Sequence, residues 1–408
     1  MPLSASDMSS LEGLSLNIPP AVEALYPEMV SNRRWFHAHP ELSFEEVETA
    51  AYVTAELRKI GLTEIYEKVG LTGVVGVIRG QNAGPTIGLR ADMDALPIQE
   101  TSTFDYCSVN AGVMHACGHD GHMSELLAAA KIIYEMRASL KGNVKLIFQP
   151  AEEGKGGAPA MIKEGVLEEG ALGPKVDSVF GIHIWSFAKL GEVCCSLGPI
   201  MASSDKFTID VIGKGGHGAA PQSTVDAIIE AAHLVTALQT VVSRNKDPLQ
   251  SGVVTCGTIE GGYAYNVIAD KVKITGTARA FTPEVQDLIE TRMGCICCGI
   301  ASTFGGSIDF NYTRGYPITV NSCQESVMAV TRAAAKVVGE AKASLPQKTM
   351  GAEDFSYFLQ QRPGCFFFVG AALPGEVRPH HKSVFDFDER AMLIGASVLV
   401  HLITDLLT

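Results

Sequence analysis

At 408 residues, with 46% hydrophobic and 19% charged side chains, the chain has the composition of a folded protein. It exceeds the roughly 250–300 residues that one hydrophobic core supports, so two domains are expected. A formal net charge of −13 works against nucleic acid and anionic membrane as partners; ten dispersed cysteines, a Met1–Pro20 stretch without basic or apolar leader regions, and no long apolar run make a cytoplasmic protein with reduced thiols the expectation.

From Phe44 to Ile60 the apolar residues recur mostly at threes and fours, and Gly61 follows, which predicts an amphipathic helix with a glycine stop. Val74–Ile78 and Ile87–Leu89 are short apolar runs bounded by Gly and Pro and read as a pair of buried strands, with Asp92-Met93-Asp94 where the second ends. The segment His115-Ala-Cys-Gly-His-Asp-Gly-His122 precedes a helix predicted over Met123–Met136. A strand over Val144–Phe148 leads into Glu152-Glu153, and Ser178–Ile184 is another, with His183 near its end. Chemistry-bearing residues therefore collect where strands meet loops, the usual address of sites on open α/β sheets.

Beyond Met201 the pattern changes to a β-α-β-β-α unit: strands at Phe207–Ile212, Val253–Ile259 and Val272–Ala280, helices at Val225–Val242 and Pro283–Phe304, closed by a strand at Ser307–Tyr312. Helix Ser322–Val338, strand Cys365–Val369 and helix Asp388–Leu407 read as a return to the first domain. The expected fold is α/β: residues 1–199 and 316–408 form a domain with a mixed central sheet flanked by helices, and residues 200–315 form a smaller inserted α+β domain. Cys295, Cys297 and Cys298 read as small apolar residues on a helix, since no second CxxC accompanies them.

Cys117 as thiolate and His119 as neutral imidazole suit zinc, manganese or a similar divalent ion, with His115 and His122 competing for the same roles. Adjacent Glu152 and Glu153 suit one ligand and one proton carrier, and His183 with His380-His381 are further histidine signals able to complete a two-metal cage. Such a site brings the pKa of water to about 7, and a nearby carboxylate passes the proton to a departing amine, which is amide hydrolysis. Gly213-Lys-Gly-Gly-His217-Gly-Ala-Ala-Pro221 lacks phosphate-loop and dinucleotide spacing; its His217 is an oxyanion donor or a structural turn histidine, and spacing leaves both open. No Gly-x-Ser-x-Gly elbow supports a serine nucleophile, and coordination explains Cys117 better than nucleophilic attack.

The chain resembles the M20 metallopeptidases, specifically the amidohydrolase branch with hippurate hydrolases, N-acyl-amino-acid deacylases and auxin-conjugate hydrolases. The resemblance is carried by His37-Ala-His-Pro-Glu-Leu-Ser-Phe-Glu-Glu46, Arg90-Ala-Asp-Met-Asp-Ala-Leu-Pro97, Met114–His122, Phe148-Gln-Pro-Ala-Glu-Glu-Gly154, Gly213–Pro221, Met350-Gly-Ala-Glu-Asp-Phe355 and His380–Phe387, in that order. It implies two divalent ions (zinc, manganese, cobalt or nickel) held by Cys117, His119, Glu153, His183 and His381. Glu152 is then the general base and Asp94 orients a ligand histidine, Asp92 being the alternative for that supporting role. It further implies that residues 200–315 form a lid that dimerises the protein, with His217, Asn266 and Arg279 contacting substrate. The implied substrate is a small N-acyl or N-aroyl amino acid; a dipeptidase or aminopeptidase and an inactive metal-binding scaffold are the alternatives. Gln222, Ala227 and Tyr263 depart from residues common in relatives and bear on substrate preference alone.

Overall fold

Residues 16–376 and 378–408 are described in the computed structural model, so the expectation for Met1–Pro20 falls, for residues 1–15, outside them. Helix α1 (Tyr26–Ala38) buries Met29, Arg33, Phe36 and His37, an i, i+4, i+7, i+8 stripe that includes a charge. Helix α2 (Val47–Ile60) ends as its sequence predicts: Gly61 is left-handed at φ 105°, and Leu62 N donates back to Leu57 O at 3.1 Å. The predicted helix is shorter at its start, because Phe44 is left-handed at φ 65° and the chain still turns there.

Next come β1 (Glu64–Val69), β2 (Gly73–Arg79), β3 (Asn82–Asp92), α3 (His119–Glu135), β4 (Lys141–Gln149), β5 (Ser178–Lys189) and β6 (Val193–Cys194). After the inserted segments β7 (Ser204–Ile212), α4 (Ala227–Thr240), β8 (Gly252–Gly261), β9 (Lys271–Ala280), α5 (Pro283–Phe304) and β10 (Ser307–Tyr316), the chain adds α6 (Gln324–Val338), β11 (Gly364–Ala372) and α7 (Ala391–Leu407). Two units result, one from residues up to Gly198 with Asn321–Gln347 and Tyr357–Thr408, the other from Pro199–Val320 with Lys348–Ser356. In the second, Thr349 N donates to Ile200 O and Ala202 N to Gly351 O, which ties the late segment to it.

The first unit is built on a mixed seven-stranded sheet in the order β1-β2-β4-β3-β5-β11-β6. β4, β3, β5 and β11 run parallel; β2 pairs antiparallel with both β1 and β4, and β6 pairs antiparallel with β11. Runs such as Phe366-Phe367-Phe368 are fully buried, as strands covered on both faces require. β2 and β3 both form where the sequence reads a pair of buried strands, and β4 lies between them, pairing antiparallel with β2 and parallel with β3. The helical crossover through α3 carries β4 into the gap between them. In the second unit the sheet order is β8-β9-β7-β10, all antiparallel. Phe207, Ile209 and Val211 alternate inward against α4 and α5, helices capped by Asp226 and Thr282. Cys297 faces that core, and Cys295 and Cys298 are exposed.

Helix α3 carries Glu125 into its contact with α7, where neither carboxylate oxygen has a hydrogen-bond partner and a Cβ at Gly395 would lie 2.4 Å from Oε1. Burial pushes this carboxyl well above its ordinary 4.5. The folded state holds the proton more tightly, so the favourable contribution is complete below the unfolded pKa and is lost as pH rises towards the folded one. Glu125→Gln is therefore expected to raise the melting temperature more at pH 8 than at pH 5, the gain growing by up to about 1.4 kcal/mol per pH unit. Thermal melts across that range check it, and equal shifts at both pH values would refute it.

Candidate metal centre

The parallel strands deliver their carboxyl ends to one place. β3 ends at Asp92, two residues before Asp94, and β4 ends at Gln149, three before Glu152. Gly118, left-handed at φ 96°, turns the chain directly after Cys117 so that His119 begins α3, four residues earlier than periodicity suggested. His183 lies within β5, which continues to Lys189, and pairs in register with Phe368 of β11. His381 is left-handed at φ 61°, its N–H held by Ala116 O at 2.8 Å, a backbone bond that fixes it beside Cys117.

Five side chains converge. Cys117 Sγ lies 3.6 Å from His183 Nε2 and 3.4 Å from His381 Nε2, and His381 Nε2 lies 3.3 Å from Glu153 Oε1. The donor atoms of Cys117, His119 and His183, those of Cys117, Glu153 and His381, and those of His119, Glu152 and Glu153 each fall within 4.8 Å of one another. His119 Nδ1 donates to Asp94 O at 2.8 Å and His183 Nδ1 to Ile184 O at 2.6 Å, which leaves both Nε2 atoms available to the site; that of His119 is buried without a hydrogen bond. His122, near His119 and Asp92, is engaged at both nitrogens: Nδ1 donates to Asp92 Oδ1 at 2.6 Å and Nε2 accepts from Ile184 N at 2.8 Å. His115 is buried and pushed down to about 3 chiefly by that burial, and belongs to none of these groups.

Electrostatics favour a cation here. Burial alone would depress His119, but Asp92 and Asp94 outweigh it and hold the imidazole up to about 10. Burial and then the charges of Glu153 and Glu152 push the Cys117 thiol well above its ordinary value, so a positive charge is what makes it a thiolate. His183 is kept neutral by burial and by neighbouring imidazoles. One sulfur, three imidazole nitrogens and a carboxylate, with a buried nitrogen lacking a hydrogen bond among them, fit borderline divalent ions.

Asp94 does more than face a histidine: its two oxygens accept from Glu152 N and Glu153 N at 3.0 Å each, and from Ser43 Oγ at 2.7 Å. Asp92 instead accepts from Arg90 at 2.7 Å and from His122. Ala151, just before the pair, is left-handed at φ 53°, a conformation costing a non-glycine residue about 1–2 kcal/mol. Its N–H is held by Glu46, a residue given no role in the sequence reading, as was Arg33. Arg33 binds Asp120 at 2.9 Å, Asp386 at 2.7 Å and Glu389 at 3.1 Å, bracing the residue after His119 and the segment after His381. The available signal for Arg33 was a charge on the apolar stripe of α1, and for Glu46 only its place at the end of the His37–Glu46 motif.

The three substrate-contact candidates lie in the second unit. His217, exposed, pairs with Val267 in a two-residue ladder, and Gly218 N donates to Asn266 O at 2.8 Å, so His217 and Asn266 are neighbours. Arg279 is apart from them on β9, donating to Thr277 and Ser204 hydroxyls. Gln222 is exposed, Ala227 is buried at the start of α4, and the Tyr263 hydroxyl donates to Asp270 at 2.7 Å.

The chain is similar to known proteins over most of its length. The model of peptidase family M20/M25/M40 matches residues 88–405. The hippurate hydrolase of Campylobacter jejuni is 42% identical over 357 residues, 87% of this chain and 91% of that protein. The N-acetyl-L-cysteine deacetylase of Bacillus subtilis is 40% identical over 377 residues, 92% of this chain and 87% of the relative. Among solved structures, the Bacillus subtilis YXEP protein, described as a dinuclear metal binding peptidase from the M20 family, superposes with TM-score 0.80 at 32% identity, over 94% of this chain and 99% of that one.

Proposed function

Because the chain belongs to peptidase family M20/M25/M40 and is a metal-dependent hydrolase, we propose that it cleaves the amide bond of N-acyl or N-aroyl amino acids, releasing a carboxylate and a free amino acid. The observation that carries this is the meeting of Cys117, His119, Glu153, His183 and His381 beside Glu152. Those five would hold two divalent ions of the zinc, manganese, cobalt or nickel class. Bound there, divalent ions supply Lewis acidity, which acidifies water and polarises an amide carbonyl.

The chain's own groups do the rest. The Glu152 carboxylate takes the proton of the attacking water and hands it to the departing nitrogen, whose leaving requires protonation. Asp94 holds Glu152 and Glu153 by their backbone and fixes the His119 ring through its carbonyl. His217, Asn266 and Arg279 are assigned to the substrate's carboxylate or the developing oxyanion, as hydrogen-bond donors. Residues 200–315 act as the lid and dimerisation domain in this reading, consistent with exposed Ile259 and Tyr265. Ten free cysteines favour a reducing compartment, and among the described residues no helix is long and apolar enough to cross a membrane.

The test is turnover of metal-reconstituted protein on acetyl- and benzoyl-amino acids beside the same residues with free amino groups, as dipeptides. Blocked substrates are expected to be turned over at least about tenfold faster, a margin of 1.4 kcal/mol in the barrier. Preference for free amines would transfer the assignment to a dipeptidase or aminopeptidase, and bound metal without hydrolysis of any amide to a scaffold.

A further inference from the structure

Resting on the reading of Glu152 as proton carrier, we propose that Glu46 is a positioning residue for the reaction, clamping the backbone of Ala151 and so setting where the Glu152 carboxylate stands. Glu46 is fully buried just before α2, and among the described residues no cation pairs with it. Its Oε1 accepts from Ala151 N at 2.8 Å, a bond between residues 105 apart in sequence, and its Oε2 accepts from the Thr72 hydroxyl. A buried carboxylate without a cation is costly unless its hydrogen bonds are needed, and an apolar residue would fill the space more stably.

What those bonds hold is the left-handed Ala151. Three consecutive N–H groups, of Ala151, Glu152 and Glu153, end on two buried carboxylates, Glu46 taking the first and Asp94 the other two. Gly157 N donates to Ala151 O at 3.0 Å and closes the loop from its far side. Gly157 permits that closure, since a Cβ there would lie 1.6 Å from Pro150 O. With Glu46 removed, the Ala151 N–H has no acceptor, and the Pro150–Ala151 peptide, whose orientation sets the left-handed φ of Ala151, loses the bond that fixes it. A shift of about 1 Å in a catalytic group costs up to roughly a hundredfold in rate.

The experiment compares Glu46→Ala, Glu46→Gln and Thr72→Val in the metal-loaded enzyme, measuring kcat, KM and metal content on one acylated amino acid. Glu46→Ala is expected to lower kcat about 10–100-fold with KM within about twofold and full metal content. Glu46→Gln keeps an oxygen for Ala151 N and an amide to donate to the Thr72 hydroxyl, and is expected to stay within about threefold of the parent. Thr72→Val, a milder change that survives if Glu46→Ala does not fold, is expected to lower kcat a fewfold at unchanged KM. Placed in a Glu152→Gln background, Glu46→Ala should cause no further loss, because it acts through Glu152. Unchanged kcat in Glu46→Ala, Gln as impaired as Ala, a loss explained by missing metal, or multiplicative effects in the double variant would each overturn the assignment. Full turnover by Glu152→Gln alone would instead remove the proton-carrier reading on which it rests.

Discussion

Glu152→Gln is expected to lower kcat by about 10²–10⁴-fold while metal content and KM stay near those of the parent. The carboxamide matches the carboxylate in shape and keeps the backbone bond to Asp94, so the loop has no reason to move. What it loses is the ability to accept a proton at neutral pH. A 10²–10⁴-fold loss corresponds to about 2.7–5.5 kcal/mol in the barrier, more than any single hydrogen bond of this network contributes to stability. Because Glu152 stands within reach of His119 and Glu153, metal must be quantified in the same preparation. Turnover within tenfold of the parent, with metal present, would mean that another group carries the proton.

Arg33→Met is expected to be the most destabilising single change in the first unit. The guanidinium is fully buried, spread over Asp120, Asp386 and Glu389, and lies between the rings of Phe387, 4.5 Å away, and Tyr106, 5.0 Å away. Burial by itself would lower its pKa, but the three carboxylates outweigh this and hold it well above the ordinary value. Methionine fills much of the volume and leaves those carboxylates facing one another, and breaking a buried ion pair from one side costs about 3–5 kcal/mol. The melting temperature should fall by roughly 6–20 °C, and Arg33→Lys, which keeps a charge without the fork, should recover part of it. A drop of less than about 2 °C in Arg33→Met would show that the network is solvated and contributes little.

Helices α2 to α7 and most of the strands were readable from periodicity, because each presents one apolar face or a continuous apolar run, whereas α1, whose buried stripe carries Arg33 and His37, was missed. β1 was missed: Glu64-Ile-Tyr-Glu-Lys-Val69 is an edge strand with exposed charged residues and little alternation to detect. The length of β5 was also missed, since Ser186 and Lys189 break the apolar run that the backbone nonetheless continues. The concentration of sulfur, imidazole and carboxylate at 115–122 and 152–153 was legible because few residue types offer metal-binding atoms. The side chains that hold these groups in place were not: Arg33 reaches Asp386 across 353 positions, and Glu46 reaches Ala151 across 105, through bonds that leave no local periodicity. The sequence reading favoured Asp94 over Asp92 for the supporting role, but their partners were not legible: both lie near His119, while Asp92 alone binds His122 and Asp94 alone takes the Glu152 and Glu153 N–H groups.

Cys117 and His381 stand 264 positions apart along the chain, yet Sγ and Nε2 lie 3.4 Å from one another. Four of the five candidate donors precede the second unit in sequence and the fifth follows it, so the proposed cage would close only once the two sequence-distant parts of the first unit have come together.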